Sequence, residues 1–269
     1  MTVATGERSV RVWDGRLEIH VKMAGSGPPL VYFHAAGGPL WDGFLDALAE
    51  RYTVYAPEHP GTSAGDPGAI EQVDDLWDLV LIYDEVLDGL GLEQAVLVGQ
   101  SFGGMLACEV AATFPQRASK LVLLAPAGLW REDAPVANYM WAAPAELAGM
   151  LFLDPAGEVA RQVFAPPADP EQAAVGAARQ VWALACTSKF VWPIPDRGLA
   201  KRLHRITAET LIVWGRQDRL IPVSYADEFA QRIAGSRVEL IDQSGHIPQL
   251  EQREQTTARV LAFLGHEPA

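Results

Sequence analysis

Ser101 sits at the centre of Gly99-Gln100-Ser101-Phe102-Gly103, a GxSxG sequence whose hydroxyl becomes a nucleophile when the chain reverses sharply around it. Ahead of it, Ala95-Val96-Leu97-Val98 is a short apolar run of the kind that forms a strand buried on both faces. Behind it, Leu106, Val110 and Phe114 recur at helical spacing, Ala107 and Ala111 keep that helix slim, and Pro115 stops it. A tight strand-to-helix reversal holds its central residue in a strained backbone conformation, and glycines at 99 and 103 remove the Cβ groups that would clash there. The hydroxyl is pushed outward at a helix N-terminus, where unpaired N–H groups and the positive end of the dipole can stabilise a developing oxyanion. A serine in a glycine-rich turn without chemistry is the plain alternative, and the rest of the chain has to decide between them.

A carboxylate and an imidazole follow in similar settings. Glu209 to Trp214 reads as a strand that runs into Gly215-Arg216-Gln217-Asp218, and Val238 to Ile241 reads as another that runs into Asp242-Gln243-Ser244-Gly245-His246. Ser101, Asp218 and His246 thus each occupy a loop after a strand. In a parallel sheet all such loops open at one edge.

The remaining elements supply that sheet. Ser9 to Trp13 and Leu17 to Met23 are β-prone and joined through Asp14-Gly15, a dipeptide suited to a hairpin turn. Pro29 to His34 is a buried-type strand leading into Ala35-Ala36-Gly37-Gly38-Pro39, whose small residues leave backbone N–H groups approachable. Trp41 to Glu50 has a helical register, Tyr52 to Ala56 reads as a strand, and Asp74 to Leu90 is a long amphipathic helix closed by Gly91. Lys120 to Ala125 is another apolar strand, and helices over Val223 to Ala234 and Glu254 to Leu264 complete the pattern. Strands alternating with helices at this spacing imply right-handed crossovers and a mostly parallel sheet of about eight strands covered on both faces. From Leu129 to about Arg205 the alternation fails. Trp130, Trp141, Trp182 and Trp192 lie there among helix-prone pieces at Ala143 to Phe152 and Glu171 to Ser188. The expected organisation is a core of residues 1–128 and 206–269 with a helical cap over 129–205.

Bulk properties narrow the function class. The 269 residues suit one large α/β domain with an insertion, and 49% hydrophobic content supports a full core. A formal charge of −13, with dispersed basic residues, disfavours nucleic acid as a partner. The one basic cluster, Lys201-Arg202-Leu203-His204-Arg205, is expected to be a solvated helix face. No apolar run reaches the roughly 18 residues needed to span a bilayer, and the first residues lack a signal-peptide pattern, so a cytoplasmic protein without a membrane partner is expected. Cys108 and Cys186 show no metal spacing and read as free thiols. No metal or nucleotide site is visible, so chemistry without a cofactor is expected on a small-molecule substrate. A homodimer stays open.

The order Ser101, Asp218, His246, with its elbow, resembles the α/β-hydrolase family over nearly the whole chain apart from the cap. The local signatures are GQSFGG at 99–104, GRQDRLIP at 215–222, SGHIPQLE at 244–251, and HAAGG at 34–38, where the family commonly has HGxGG. The resemblance implies that His246 is the general base for Ser101 and that Asp218 fixes the imidazole tautomer. It also implies an oxyanion hole from the backbone N–H groups of Phe102 and Ala36, with Gly37 as the alternative if the loop shifts by one residue. Glu58 and Asp242 are alternative acids that precede the family positions. His20, His34, His59, His204 and His266 read as structural or solvent-exposed, His34 through hydrogen bonding within the oxyanion loop.

A serine, where haloalkane dehalogenases and epoxide hydrolases of this fold use aspartate, points to acyl chemistry. The first expectation is hydrolysis of a small to medium apolar carboxylic ester, with Trp130, Trp141, Trp182 and Ile247 against the substrate. HAAGGP and VWGRQDRLIP are also similar to carbon–carbon hydrolases of meta-cleavage products, which would act on vinylogous diketones with the same triad. Those enzymes usually carry Asn at Gln100, Trp at Ile247 and a cap arginine, for which Arg161, Arg179 and Arg197 are the choices. A small-molecule receptor on a hydrolase scaffold is the reading from another class, and a perhydrolase or lyase a weaker enzymatic one.

Overall fold

Trp13, Asp14 and Gly15 all take positive φ (58°, 55° and 75°), which turns β1 (Thr5–Val12) back onto β2 (Leu17–Ala24) as an antiparallel hairpin. The computed structural model describes residues 4–63 and 66–266. After the hairpin come β3 (Pro29–Phe33), α1 (Gly43–Ala49) and β4 (Thr53–Pro57). Helix α2 (Leu76–Leu90) starts at Leu76 and not at Asp74, because the Asp75 carboxylate accepts the N–H groups of Trp77 and Asp78; it ends on Gly91 at φ 75°. Then follow β5 (Ala95–Gln100), α3 (Phe102–Thr113) and β6 (Ala118–Leu124).

No strand occurs among the described residues between β6 and β7. That stretch holds α4 (Pro144–Leu151), α5 (Glu158–Phe164) and α6 (Pro170–Val191), with short 3-10 turns between. Helix α6 begins earlier than its apolar pattern, because Asp169 caps it and Pro170 occupies its first turn. The chain returns through β7 (Glu209–Gly215), α7 (Ser224–Arg232), β8 (Arg237–Ile241), α8 (Pro248–Glu251) and α9 (Arg253–Phe263).

The eight strands pair in the order β1-β2-β4-β3-β5-β6-β7-β8. Only β2 runs against its neighbours; from β4 to β8 every pairing is parallel. Strand β5 is buried along its whole length and alternates its side chains between two cores. Ala95 and Leu97 join the core under α2, α3 and α7, whereas Val96 and Val98 join the one under α1 and α9. Each fully buried Leu, Val or Phe contributes about 1.5–3 kcal/mol, so helices on both faces are what make such a strand sequence stable.

The basic cluster at 201–205 departs from expectation at Arg202, while Lys201, His204 and Arg205 are exposed. It forms 3-10 turns, and Arg202 donates two 2.7 Å hydrogen bonds to buried Glu109 of α3 while Arg205 bonds the Ala112 carbonyl. A buried carboxylate needs a partner, and that demand outweighs solvation of the guanidinium. Cys108 and Cys186 are separate buried thiols. Among the described residues no helix is long and apolar enough to cross a membrane.

Candidate active site

Ser101 holds φ 54° and ψ −117° between β5 and α3. That conformation costs a non-glycine residue on the order of 1–3 kcal/mol, and the surrounding backbone over-determines it. The Ser101 N–H donates to the Leu124 carbonyl (2.9 Å), and its own carbonyl accepts from Met105 (3.0 Å) and Ala127 (2.9 Å). The flanking glycines are obligatory. A Cβ on Gly99 would come within 2.3 Å of the Gly103 oxygen, and one on Gly103 within 2.0 Å of the Phe33 oxygen.

Strands β5, β7 and β8 are parallel, so the loops after them share an edge, and they bring Ser101, Asp218 and His246 into one chain of hydrogen bonds. His246 Nε2 lies 2.9 Å from Ser101 Oγ, and Nδ1 lies 2.8 Å from Asp218 Oδ2. Asp218 also accepts the N–H groups of Leu220 (2.8 Å) and Ile221 (2.9 Å) on Oδ1 and the indole N–H of Trp214 (3.0 Å) on Oδ2. With its acceptor sites filled from three other sides, the carboxylate has one role left for His246. It accepts a hydrogen bond from Nδ1–H, which keeps the ring proton there and leaves Nε2 as an acceptor facing the serine. Neither alternative acid competes: Asp242 is exposed and paired with Arg216, and Glu58 takes no part in the chain of bonds.

The loop after β3 lies beside this chain. Phe102 is the first residue of α3, so its N–H has no acceptor within the helix. The Ala35 carbonyl is held by His34 Nδ1–H (2.8 Å) and by the Gly38 N–H (3.2 Å). In a trans peptide the Ala36 N–H then points the opposite way. His34 Nε2 accepts the His59 N–H (3.0 Å), while His59 Nε2–H donates to the His34 carbonyl (2.9 Å) and its Nδ1 accepts the Tyr83 hydroxyl. Burial lowers His34 to a pKa of about 4, and burial, with the repulsion that a second charged ring at His34 would add, takes His59 well below its usual value. Both rings are therefore neutral, and their tautomers are set by these bonds.

The aromatic residues expected against a substrate lie farther out. Trp141 is 76% exposed and packs edge-on to Trp192, and Trp182 is 43% exposed with its N–H on the Pro67 carbonyl. Trp130 is half-buried and bonded to Glu132, and Ile247, half-buried, follows His246 directly. Trp141 and Trp182 are thus surface side chains, while the helical segment buries Leu147, Phe152, Phe190 and Val191. His20 bonds Ser9 and His266 bonds Tyr52.

Several residues at the site carry no marker that composition or periodicity could reveal. Gln100 Nε2 donates to the His246 carbonyl (3.2 Å), and Trp214 supports Asp218. Glu251, raised by burial against the pull of its hydrogen bonds, accepts the N–H groups of Gly245 and Leu153. Among the described residues no group of His, Cys, Asp or Glu is arranged to hold a metal ion.

Comparison with known proteins places this arrangement. A 2-hydroxy-6-oxo-6-phenylhexa-2,4-dienoate hydrolase from Comamonas testosteroni is 27% identical, over 91% of this chain and 91% of its own. The dihydrolipoyllysine-residue acetyltransferase component of the acetoin cleaving system of Pseudomonas putida is 32% identical over 93% of this chain and 67% of its own length. Among solved structures, a bacterial membrane phospholipase A superposes with a TM-score of 0.78 at 25% identity, covering 97% of this chain and 86% of that one. The sequence profile of the alpha/beta hydrolase family matches residues 30–260. On that match and on the fold, the chain belongs to the alpha/beta hydrolase family and is a hydrolase with a serine at the turn after β5.

Proposed function

We propose that this enzyme hydrolyses small to medium apolar carboxylic esters through an acyl-enzyme formed on Ser101. The observation that carries the reading is the 2.9 Å contact of Ser101 Oγ with His246 Nε2, on a ring whose other nitrogen is committed to Asp218. His246 takes the hydroxyl proton as Oγ attacks the ester carbonyl, and Asp218 stabilises the resulting imidazolium. The developing oxyanion lies between the N–H groups of Phe102 and Ala36, each such donor being worth about a hundredfold or more in rate. His246 then returns its proton to the leaving alkoxide. Water, deprotonated by the same nitrogen, attacks the acyl-enzyme and releases the acid. Residues 129–205 act as the cap over this site, and the substrate is bound without a cofactor.

A second reading, cleavage of a carbon–carbon bond in a vinylogous diketone, is supported by the full-length likeness to the Comamonas hydrolase. The choice of an ester rests on the arginines. Arg161 is paired with Glu158, and Arg179 is exposed. Arg197 bonds the carbonyls of Phe190 and Trp192 and lines a separate cleft with Trp77 and Arg202. None of the three is offered to a dienoate carboxylate beside Ser101. Turnover of 4-nitrophenyl butyrate, set against loss of dienoate absorbance, decides between the readings. Fluorophosphonate labelling of the wild type but not of Ser101→Ala tests the nucleophile, and an unlabelled wild type refutes both.

A further inference from the structure

Hydrogen bonds join the base-bearing loop to the helical segment at Leu151 and Leu153. The His246 N–H donates to the Leu151 carbonyl at the end of α4 (2.8 Å), and two positions away the Leu153 N–H donates to Glu251 Oε1 (2.7 Å). The other oxygen of the same carboxylate accepts the Gly245 N–H (2.6 Å) and lies 3.4 Å from the Ser244 hydroxyl. Glu251 therefore bridges two chain segments, one oxygen for Leu153 and the other for Gly245. The approach is too close for a side chain between them: a Cβ on Gly245 would meet the Leu151 oxygen at 2.7 Å and the Leu153 nitrogen at 3.1 Å. From the opposite side Gln100 donates to the His246 carbonyl. The N–H groups of Gly245 and His246 and the His246 carbonyl are thus all tied, and the helical segment is held by the direct His246–Leu151 bond and by the Glu251 carboxylate beside it.

We propose that Glu251 is a positioning residue that couples the helical segment to the catalytic base. It holds the Leu151–Leu153 turn and the Gly245-His246 peptide as one unit, so that His246 Nε2 stays in line with Ser101 only while that turn is docked. Opening of the segment for substrate entry then has to occur away from α4, on the α5 and α6 side, because movement at Leu151 would carry the base with it. The inference rests on the serine-nucleophile reading above and adds to it a residue that touches neither substrate nor serine.

The test is Glu251→Gln in the full chain, read by three measurements. The amide keeps the volume but offers only one acceptor oxygen, so either the Leu153 or the Gly245 N–H loses its partner and faces an NH2 group. Displacement of the base by a fraction of an ångström lowers kcat for 4-nitrophenyl butyrate by about 10- to 100-fold, with KM changed less than about twofold. Fluorophosphonate labelling of Ser101 slows by the same factor. The downfield proton resonance of His246 Nδ1–H, which needs no turnover, broadens. Arg117→Ala, which breaks the ion pairs to Asp84 and Asp88 far from the site, is the control for a general loss of stability. It should lower the melting temperature while keeping the labelling rate and the resonance. Wild-type labelling of Glu251→Gln, or an equal loss in Arg117→Ala at equal melting temperature, overturns the proposal alone. An unlabelled wild type refutes instead the nucleophile assignment beneath it.

Discussion

Asp218→Asn tests the hydrogen-bond logic of the site most directly, because it changes one atom and leaves the shape intact. In the wild type Oδ1 accepts two backbone N–H groups, from Leu220 and Ile221, while Oδ2 faces the Trp214 indole and His246. An amide keeps both backbone bonds only if its oxygen takes the Oδ1 position, and the NH2 group then points at His246 Nδ1. That nitrogen must accept, so the ring moves its proton to Nε2 and presents a donor to Ser101 where an acceptor is needed. The expected loss in kcat is about four orders of magnitude, or about 5.4 kcal/mol in the barrier at 1.36 kcal/mol per tenfold.

The stability cost is smaller and separable. Trp214 Nε1–H loses Oδ2 but retains the Ile221 carbonyl at 3.2 Å, so unfolding becomes easier by about 1–3 kcal/mol. Ester hydrolysis under saturating substrate, with urea unfolding on the same preparations, measures both. Asp242→Asn is the matched control. Its carboxylate is exposed and paired with Arg216, and surface changes of this kind stay within about ±0.5 kcal/mol. If Asp218→Asn retained more than about a tenth of the wild-type kcat, the tautomer argument would be wrong.

Gly103→Ala places a Cβ 2.0 Å from the Phe33 oxygen and 2.5 Å from the His34 oxygen, both backbone atoms. It should destabilise by about 1–3 kcal/mol or more and slow fluorophosphonate labelling about a hundredfold, measured together by thermal unfolding and labelling kinetics. His34, at a pKa of about 4 when folded and 6.5 ordinarily, resists a proton that the unfolded chain accepts. Its contribution is fully present above about pH 6.5 and is lost as pH falls toward 4, on the order of 3 kcal/mol in all. Asp42, pushed up by burial to about 6, acts with the opposite sign in part of that window. The acid slope of wild-type stability against His34→Gln isolates the histidine; equal slopes would refute its buried neutral state.

Much of this is legible in the sequence because the relevant signals are local. A strained serine needs Gly99 and Gly103 beside it, and a doubly covered strand needs an unbroken apolar run such as Ala95–Val98. Asp218 and His246 are found by the same logic applied to β7 and β8. Strand direction in a parallel sheet then does the long-range work, since every strand end of one sense reaches one edge. Helix α2 starts two residues later than its sequence pattern predicts, because that pattern marks apolar spacing whereas the boundary is decided by the Asp75 cap.

The helical segment between β6 and β7 resisted the same treatment for a physical reason. In a sheet, period-two alternation tells inside from outside, but a short helix that covers a site has two apolar duties, packing on the core and facing a ligand, and both draw on the same residue types. Tryptophan is the least informative of them, as its size lets it sit half out of water at little cost. Trp141 and Trp182 therefore look like pocket residues in the sequence and stand on the surface in the fold, while Thr187, unremarkable by type, is fully buried within 3.2 Å of the Ala36 carbonyl. What marks a site residue in this segment is the polar atom it brings to a buried backbone group. Such pairings, Thr187 with Ala36, Glu251 with Leu153 or Gln100 with His246, join positions that no short window of sequence contains.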